Sequence, residues 1–536
     1  MDWAGLRLRP FHLRTNFFRG IMRRSISLVL LALCAVLGLS RFAWLGREQI
    51  IDLPPVERLA CASYAPFRDA ETPFDPSFEV SAARIAEDLA ALKPLTDCVR
   101  TYSTFTGLEK VPAEAKRLGM KVMLGAWIGR DSVQNRRELD RAVALAQEFP
   151  DTVRMVIVGN EVLLRREQPV EALAAMLADV RSRTDTPVTY ADVWEFWERA
   201  PQLVPLVDVV TIHILPYWED HPIGIDHAVD HVEAIHDLML PIFQGKPVMI
   251  GETGWPSMGR QRQEAEPSRA NQARFLRALA LRAAEHGWDY NVVEAFDQPW
   301  KRASEGTVGG AWGLVETNRT AKPVLGGPVV ELPSWKLWLA GSVLLGLFPI
   351  GYAFFGRRET DPIGRLVLIL GGVAGASALG LYGVHLAQST RNWIEAGASA
   401  IAFLACAWTG LLLLLALARN VPFLRDAMGQ ARLAQARRLM LAIAAIGVAA
   451  LVFDARYRDF PTSLMLVPAL GFLLLSLRGA ALPFAKEDRW LAVLIAAGAI
   501  FVTVMEGGSN DDVLIWAATM LVFSLPVLLG WRAPAR

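Results

Sequence analysis

The chain is poor in the residues that build metal and redox centres. Its 536 residues include four cysteines, Cys34, Cys61, Cys98 and Cys406, and no two of them form a C-x-x-C pair. That spacing excludes the usual zinc and dithiol motifs. Net charge is almost absent as well. The 55 Lys and Arg against 54 Asp and Glu leave +1, so no overall field favours nucleic acid as a partner. Cys61 and Cys98 fall in the polar half of the chain. Two separate buried thiols are the plainer reading; a disulfide is the alternative if that half lies outside the cytoplasm.

What the chain has in quantity is apolar residues, 53% of the total with mean hydropathy +0.29. They are unevenly spread. Residues 55–325 carry ordinary charge density, whereas 335–531 are mostly Leu, Ala, Gly, Val and Ile. Crossing a hydrocarbon core takes about 20 apolar residues, and eight candidate spans follow: 25–44, 335–355, 366–386, 396–418, 439–453, 463–477, 490–505 and 513–531, the fifth being short. With a cytoplasmic N-terminus, the inside segments hold nineteen Lys and Arg and the short outside loops hold Arg391, Arg456 and Arg458. This bias places both termini in the cytoplasm and 46–334 outside. No A-x-A-like site precedes Arg41, so the first span reads as an uncleaved anchor. The acids Asp454, Glu506, Asp511 and Asp512 sit at span ends, which favours a lipid-embedded platform over a transporter. Gly371 and Gly375 make a small-xxx-small face. The expected organisation is therefore a basic tail (1–24), an anchor (25–45), a polar domain (55–325), a linker (326–334) and a C-terminal all-α membrane domain of about seven helices (335–531), with the lipid bilayer as a partner.

The polar domain alternates short apolar runs with helical spacing. Strand candidates are 60–65, 99–103, 121–127, 154–158, 188–191, 207–212, 248–250 and 290–295. Such runs suit strands buried on both faces. Between them, 80–95, 109–118, 133–149, 169–183, 227–238 and 268–286 carry apolar stripes at helical period, as at Ile85, Leu89 and Leu92. Eight such units point to a (β/α)8 TIM barrel, whose chemistry sits at the carboxyl ends of the strands. Residues at those ends are Tyr64; Arg100 and Tyr102; Trp127; Asn160 and Glu161; His213, Tyr217 and Trp218; Glu252 and Trp255; and Glu294, Asp297, Trp300 and Lys301.

Alone, the Asn-Glu after strand four or the acid in "IGETGWPS" (250–257) reads as a loop cap. Together, at strands four and seven of one barrel, Glu161 and Glu252 become an opposed pair in a mouth lined with aromatic rings. Cleavage of a glycosidic bond requires two such carboxylates, and flat rings stack on the apolar faces of sugars. His213 reads as a hydrogen-bonding rim residue rather than a metal ligand, and Tyr217 and Trp218 as either lid packing or sugar platforms.

"VGNE" (158–161) followed by "IGETGWPS", with "EAFDQPWK" (294–301) and "GTVGGAWGL" (306–314), resembles glycoside hydrolase family 17, the β-1,3-glucanases and β-1,3-glucanosyltransferases, over 55–325. The resemblance implies a retaining double displacement with Glu161 as acid/base and Glu252 as nucleophile, about 5–5.5 Å apart. Glu161 must then begin the cycle protonated, a state favoured by the charge on Glu252. It also implies Asn160 on the sugar 2-hydroxyl, and Tyr64, Tyr102, Trp127, Tyr217, Trp218, Trp255, Glu294, Asp297, Trp300 and Lys301 as substrate-binding residues, with no metal and no cofactor. Plant members carry an N-E pair where this chain has Asp297–Gln298, and Glu305 is a candidate to share that role. The start "ASYAPF" (62–67) replaces a more glycine-rich one. The pairing of barrel and spans is similar to bacterial membrane proteins that remodel β-glucan in the periplasm, including the rhizobial β-1,3/1,6 kind. There is no Q-x-x-R-W nucleotide-sugar signature and no P-loop, so a separate membrane glucan synthase is the implied supplier of substrate and a candidate partner. A non-catalytic glucan-binding module that assists such a synthase is the alternative, and hydrolysis and transfer both remain open.

Overall fold

The computed structural model describes residues 11–355, 361–419, 427–454, 458–478 and 482–530. The chain divides into two compact units, Glu48–Glu331 and a second formed by Met1–Arg47 with Leu332–Arg536.

In the first unit eight parallel strands close a barrel: β1 (Ala62–Ser63), β2 (Cys98–Arg100), β3 (Lys121–Ala126), β4 (Val153–Asn160), β5 (Val188–Val193), β6 (Val210–His213), β7 (Val248–Thr253) and β8 (Asp289–Val292). Each pairs with the next, and Ala62 opposite Val292 completes the ring. The (β/α)8 expectation therefore holds. Every expected strand is present, with displaced ends. β1 is only two residues long, and β8 stops before Glu294. β4 and β7 run on to include Asn160 and Glu252.

Helix starts follow their caps. Ser81 accepts a hydrogen bond from the Arg84 amide and opens Ala82–Leu92; Asp131 opens Ser132–Glu148 and Ser268 opens Arg269–His286 in the same way. After β5 the chain forms a short helix, Trp194–Arg199, and a 3-10 turn, Pro201–Leu206. Six residues give no readable helical period, and Pro201 and Pro205 interrupt the pattern, so neither element was legible beforehand.

Cys61 and Cys98 are joined by a disulfide linking the β1 and β2 strands across 37 residues. The plainer reading of two separate thiols is therefore corrected: neighbouring strands bring the two cysteines to a Cα–Cα distance of 4.5 Å. Closing a loop of that size restricts the unfolded chain and is worth about 2–4 kcal/mol. The double variant Cys61→Ala/Cys98→Ala is expected to lose that much in thermal unfolding of the full chain, and an unchanged transition would show that the bond contributes nothing.

In the second unit, among the described residues, seven helices are long and apolar enough to cross a membrane: Arg24–Leu45 within Phe11–Leu45, Trp335–Phe355, Pro362–Ser389, Trp393–Ala418, Met428–Phe453 within Ala427–Phe453, Lys486–Glu506 and Asp511–Leu529. Two span expectations need correction. The segment at 439–453 is not short, because the helix continues N-terminally through Arg432, Arg437 and Arg438. The last two reach Asp488 at 3.0 and 2.9 Å, so their charge is matched from a remote helix. The short one is Thr462–Leu477, with 16 residues. Of the span-end acids, Asp454 pairs with Arg391 (3.1 Å) and Glu506 with Arg458 (2.6 Å). A Cβ at Gly371 would lie 2.3 Å from the end of the Leu414 side chain, which would have to shift, whereas Gly375 faces open space. Trp531, and Arg7, Arg9, Arg357, Arg358, Arg425, Arg456, Arg532 and Arg536 of the charge bias, lie outside the described residues.

Candidate active site

Two backbone devices bring the acids together. At the end of β4, Gly159 (φ 83°) and Glu161 (φ 52°) both take left-handed conformations, and a Cβ at Gly159 would lie 2.5 Å from Val162. A non-glycine residue there is strained, a pattern that clusters at functional sites. In β7, a Cβ at Gly251 would lie 2.3 Å from Thr211 and 3.0 Å from His213. Glycine thus lets His213 sit beside Glu252.

The result is a compact triad. One ligand atom each from Glu161, His213 and Glu252 lie within 4.8 Å of one another. His213 Nδ1 is 3.3 Å from Glu161 Oε1, and its Nε2 is 3.8 Å from Glu252 Oε1. The His213 side chain is fully buried, Glu252 is 10% exposed and Glu161 is 22% exposed, so Glu161 is the more open of the two acids. Beneath them, Arg100 is almost completely buried. Its Nη1 donates to Glu252 Oε1 (2.9 Å) and to the Gly251 carbonyl (2.9 Å), and its Nη2 donates to Asn160 Oδ1 (2.5 Å). The Tyr102 hydroxyl lies 2.9 Å from Glu252 Oε1 and 3.0 Å from Ser63 Oγ. Asn291 Nδ2 donates to Ser63 Oγ and to the Gly251 carbonyl, both at 2.8 Å.

These contacts set the charge states. Burial pushes the Glu252 carboxyl up, but His213, Arg100, Lys301 and the Tyr102 hydroxyl together outweigh it and hold the group below its ordinary value. Burial and the neighbouring Glu252 charge push the Tyr102 phenol up, so it stays a hydrogen-bond donor. At the end of β8, burial lifts Glu294 to about 7 against the pull of Lys301, whose Nζ lies 3.0 Å from Glu294 Oε1. Burial also lifts Glu305, aided by the charges of Glu161 and Glu252 and opposed by Lys301. Glu161, His213 and Glu252 are close enough to share an ion, but the Arg100 guanidinium occupies the same Glu252 oxygen and repels a cation.

The other expected substrate-binding residues divide by environment. Tyr102, Asn160, Glu294 and Lys301 belong to this polar network. Trp127 is 39% exposed beside it, with the Arg165 guanidinium 4.0 Å from its ring centre, and Trp300 meets the exposed Phe74 edge-on at 5.6 Å. Tyr64 lies apart: its ring is fully buried and its hydroxyl donates to Asp88 at 3.0 Å. Side chains alternate along a strand, and Ser63, one residue earlier, is the one that joins the Glu252 network. Tyr217 and Trp255 are also buried, their polar atoms bonded to the carbonyls of Arg260 (2.7 Å) and Glu266 (3.0 Å). Trp218, half-buried, stacks on Trp312 at 6.4 Å. Asp297 accepts from Lys322 (2.8 Å) and the Gly313 amide (2.9 Å), tying down the closing segment. Ser63 and Asn291 escaped the sequence reading because neither residue type marks chemistry by itself. The two-residue spacing of Arg100 and Tyr102 was the available sign that both face inward.

Residues 61–313 match the family described as the BtgE/BtgC glycoside hydrolase domain. The Aspergillus niger protein btgC, named as a glucan endo-1,3-beta-glucosidase, is 29% identical over 276 residues, which are 45% of this chain and 40% of that protein. A Schizosaccharomyces pombe protein named glucan 1,3-beta-glucosidase is 29% identical over 255 residues, 44% of this chain and 78% of that one. A solved glycoside hydrolase family 17 β-1,3-glucanosyltransferase from Rhizomucor miehei is 27% identical with a TM-score of 0.44, covering 50% of this chain and 97% of its own. The chain thus spans well under half the length of the Aspergillus relative and most of the yeast one. With the barrel closed and the motif acids at the ends of β4 and β7, residues 61–313 are similar to the BtgE/BtgC glycoside hydrolase domain and to the named β-1,3-glucosidases.

Proposed function

We propose that the barrel cleaves β-1,3-glucan by a retaining double displacement. Glu252 attacks the anomeric carbon while Glu161 gives its proton to the departing glycosidic oxygen. The glycosyl-enzyme ester is then broken by water or by a sugar hydroxyl, which Glu161 deprotonates. The observation that carries this reading is the closeness of Glu161 and Glu252, whose oxygens lie within 4.8 Å of each other. A retaining pair is set about 5–5.5 Å apart, whereas an inverting pair leaves room for water between. Electrostatics supports the assignment of roles. Arg100, Tyr102 and Lys301 favour an ionised Glu252, as a nucleophile needs, and the more exposed Glu161 is the acid open to a leaving group and an incoming acceptor. Because Asn160 Oδ1 is bound to Arg100, its Nδ2 is left to donate to the sugar 2-hydroxyl.

The helices of the second unit anchor this domain in the inner membrane, with both termini cytoplasmic and the barrel periplasmic, where it edits glucan made by a separate synthase. The basis for that orientation is the bias of Lys and Arg in the short loops. The test is incubation of the detergent-solubilised full chain with laminari-oligosaccharides and sizing of the products. Shorter products alone mark a hydrolase, and products longer than the substrate mark a glucanosyltransferase. Binding without turnover would replace the enzyme by a glucan-binding module.

A further inference from the structure

We propose that Asp192 is a positioning residue for the proton-transfer step, holding the turn that carries Glu161 in its productive shape. The proposal rests on the acid/base reading of Glu161 given above. Glu161 occupies a left-handed backbone conformation, φ 52°, which costs a non-glycine residue on the order of 1–2 kcal/mol. Something must hold it there. From β5, the fully buried Asp192 carboxylate reaches the residues just beyond Glu161. Its Oδ2 accepts from the amides of Leu163 (3.2 Å) and Leu164 (3.4 Å) and from the Tyr190 hydroxyl, which itself lies 3.0 Å from the Leu163 amide. Its Oδ1 accepts from the Val193 amide at 2.8 Å. The neighbouring Ala191 carbonyl accepts from the Glu161 amide at 2.8 Å. The β5 end therefore grips the turn at residues 161, 163 and 164. On the other side, Arg165 donates to the carbonyls of Asn160 and Ile128.

The choice of a carboxylate is telling. A buried charge is expensive unless it is hydrogen-bonded or paired, and among the described residues no Lys or Arg forms an ion pair with Asp192. Its ionised form is stabilised by main-chain amides, the Tyr190 hydroxyl and the nearby His213 ring. An apolar residue would fill the same space without that cost, but could not fix two successive amides of the acid-bearing turn. Among the described residues Asp192 forms no hydrogen bond to Glu252, Arg100 or Tyr102, and its hydrogen bonds reach the turn that carries Glu161.

Acid assistance matters only when the leaving group needs a proton, and that separates positioning from general stability. The full-length Asp192→Ala and Tyr190→Phe variants are assayed for kcat/KM on a laminari-oligosaccharide and on a dinitrophenyl β-laminaribioside, whose phenolate leaves unprotonated. Asp192→Ala is expected to lose about 10²-fold on the oligosaccharide, within the range for general acid catalysis, and less than about tenfold on the aryl glycoside. Tyr190→Phe is expected to lose less on both, with the same bias. Both rates come from one preparation, so partial unfolding cannot move their ratio, and Tyr190→Phe carries the test if Asp192→Ala does not fold. Equal losses on the two substrates, or no loss, overturn the proposal. Glu161→Ala is the control. If it too loses equally on both substrates, the acid/base reading of Glu161 fails; if it shows the bias while the Asp192 and Tyr190 variants do not, only the positioning role falls.

Discussion

Glu252→Gln is expected to abolish turnover of laminari-oligosaccharides, lowering kcat by on the order of 10⁴-fold or more, as losses of a covalent nucleophile do. The substitution is nearly isosteric. The amide oxygen still accepts from Arg100 and Tyr102, so the barrel should fold and bind glucan, and the loss should appear in kcat rather than in affinity. Azide distinguishes the two acids. With Glu252→Ala and an activated aryl β-glycoside, azide takes the vacated face and gives an α-glycosyl azide. With Glu161→Ala, the ester still forms and azide opens it to the β product. Exchanged stereochemistry would reverse the roles, and undiminished turnover by Glu252→Gln would remove Glu252 from the role of nucleophile.

The barrel was legible in the sequence because strands buried on both faces must be short apolar runs. Each of the eight runs stands out against the helical stripes between them. Their ends were less so, since an end depends on where the next strand stops pairing. β1 shows the consequence. Read as six residues, it presents Tyr64 as a rim residue; as the two-residue strand it is, parity turns Ser63 inward and Tyr64 toward Asp88. Aromatic residues raised a similar problem. Tyr217, Trp255 and Trp127 look alike in sequence, yet the first two are core and the third is partly exposed, because facing depends on loops packed from elsewhere. The same holds for Arg437 and Arg438, which look like a loop until Asp488, fifty residues on, supplies their partner. The two acids were found because their spacing and flanking glycines mark them locally. The groups that tune them act through contacts remote in sequence, such as Arg100 to Glu252, 152 residues apart, and Asn291 to Ser63, 228 apart.

Replacing Arg100 with Met is expected to move the acid limb of the pH profile upward. In the native site Glu252 is held below its ordinary value despite burial, so the acid limb of kcat/KM should fall below pH about 4.3, the value of an unperturbed glutamate. In the role proposed for it Glu252 is active when ionised, so activity is lost as pH falls through this value. Removing Arg100 takes away one of the charges that oppose burial. The limb should move upward, with His213, Lys301 and Tyr102 still opposing burial. Near neutral pH, kcat/KM should drop by about 10²-fold, because Asn160 and the Gly251 carbonyl lose the donor that aligns them with Glu252. Stability follows the same sign. A carboxyl depressed in the folded state stabilises the protein above its unfolded value, and that contribution is lost as pH falls through the folded one. In Arg100→Met this contribution shrinks, and breaking a buried pair costs about 3–5 kcal/mol at neutral pH. The native protein should therefore lose stability to acid more steeply than the variant does. Rate profiles from pH 3 to 8 with parallel thermal unfolding check both effects. An acid limb that stays in place would mean that Arg100 orients Asn160 and the strand ends without setting the charge on Glu252.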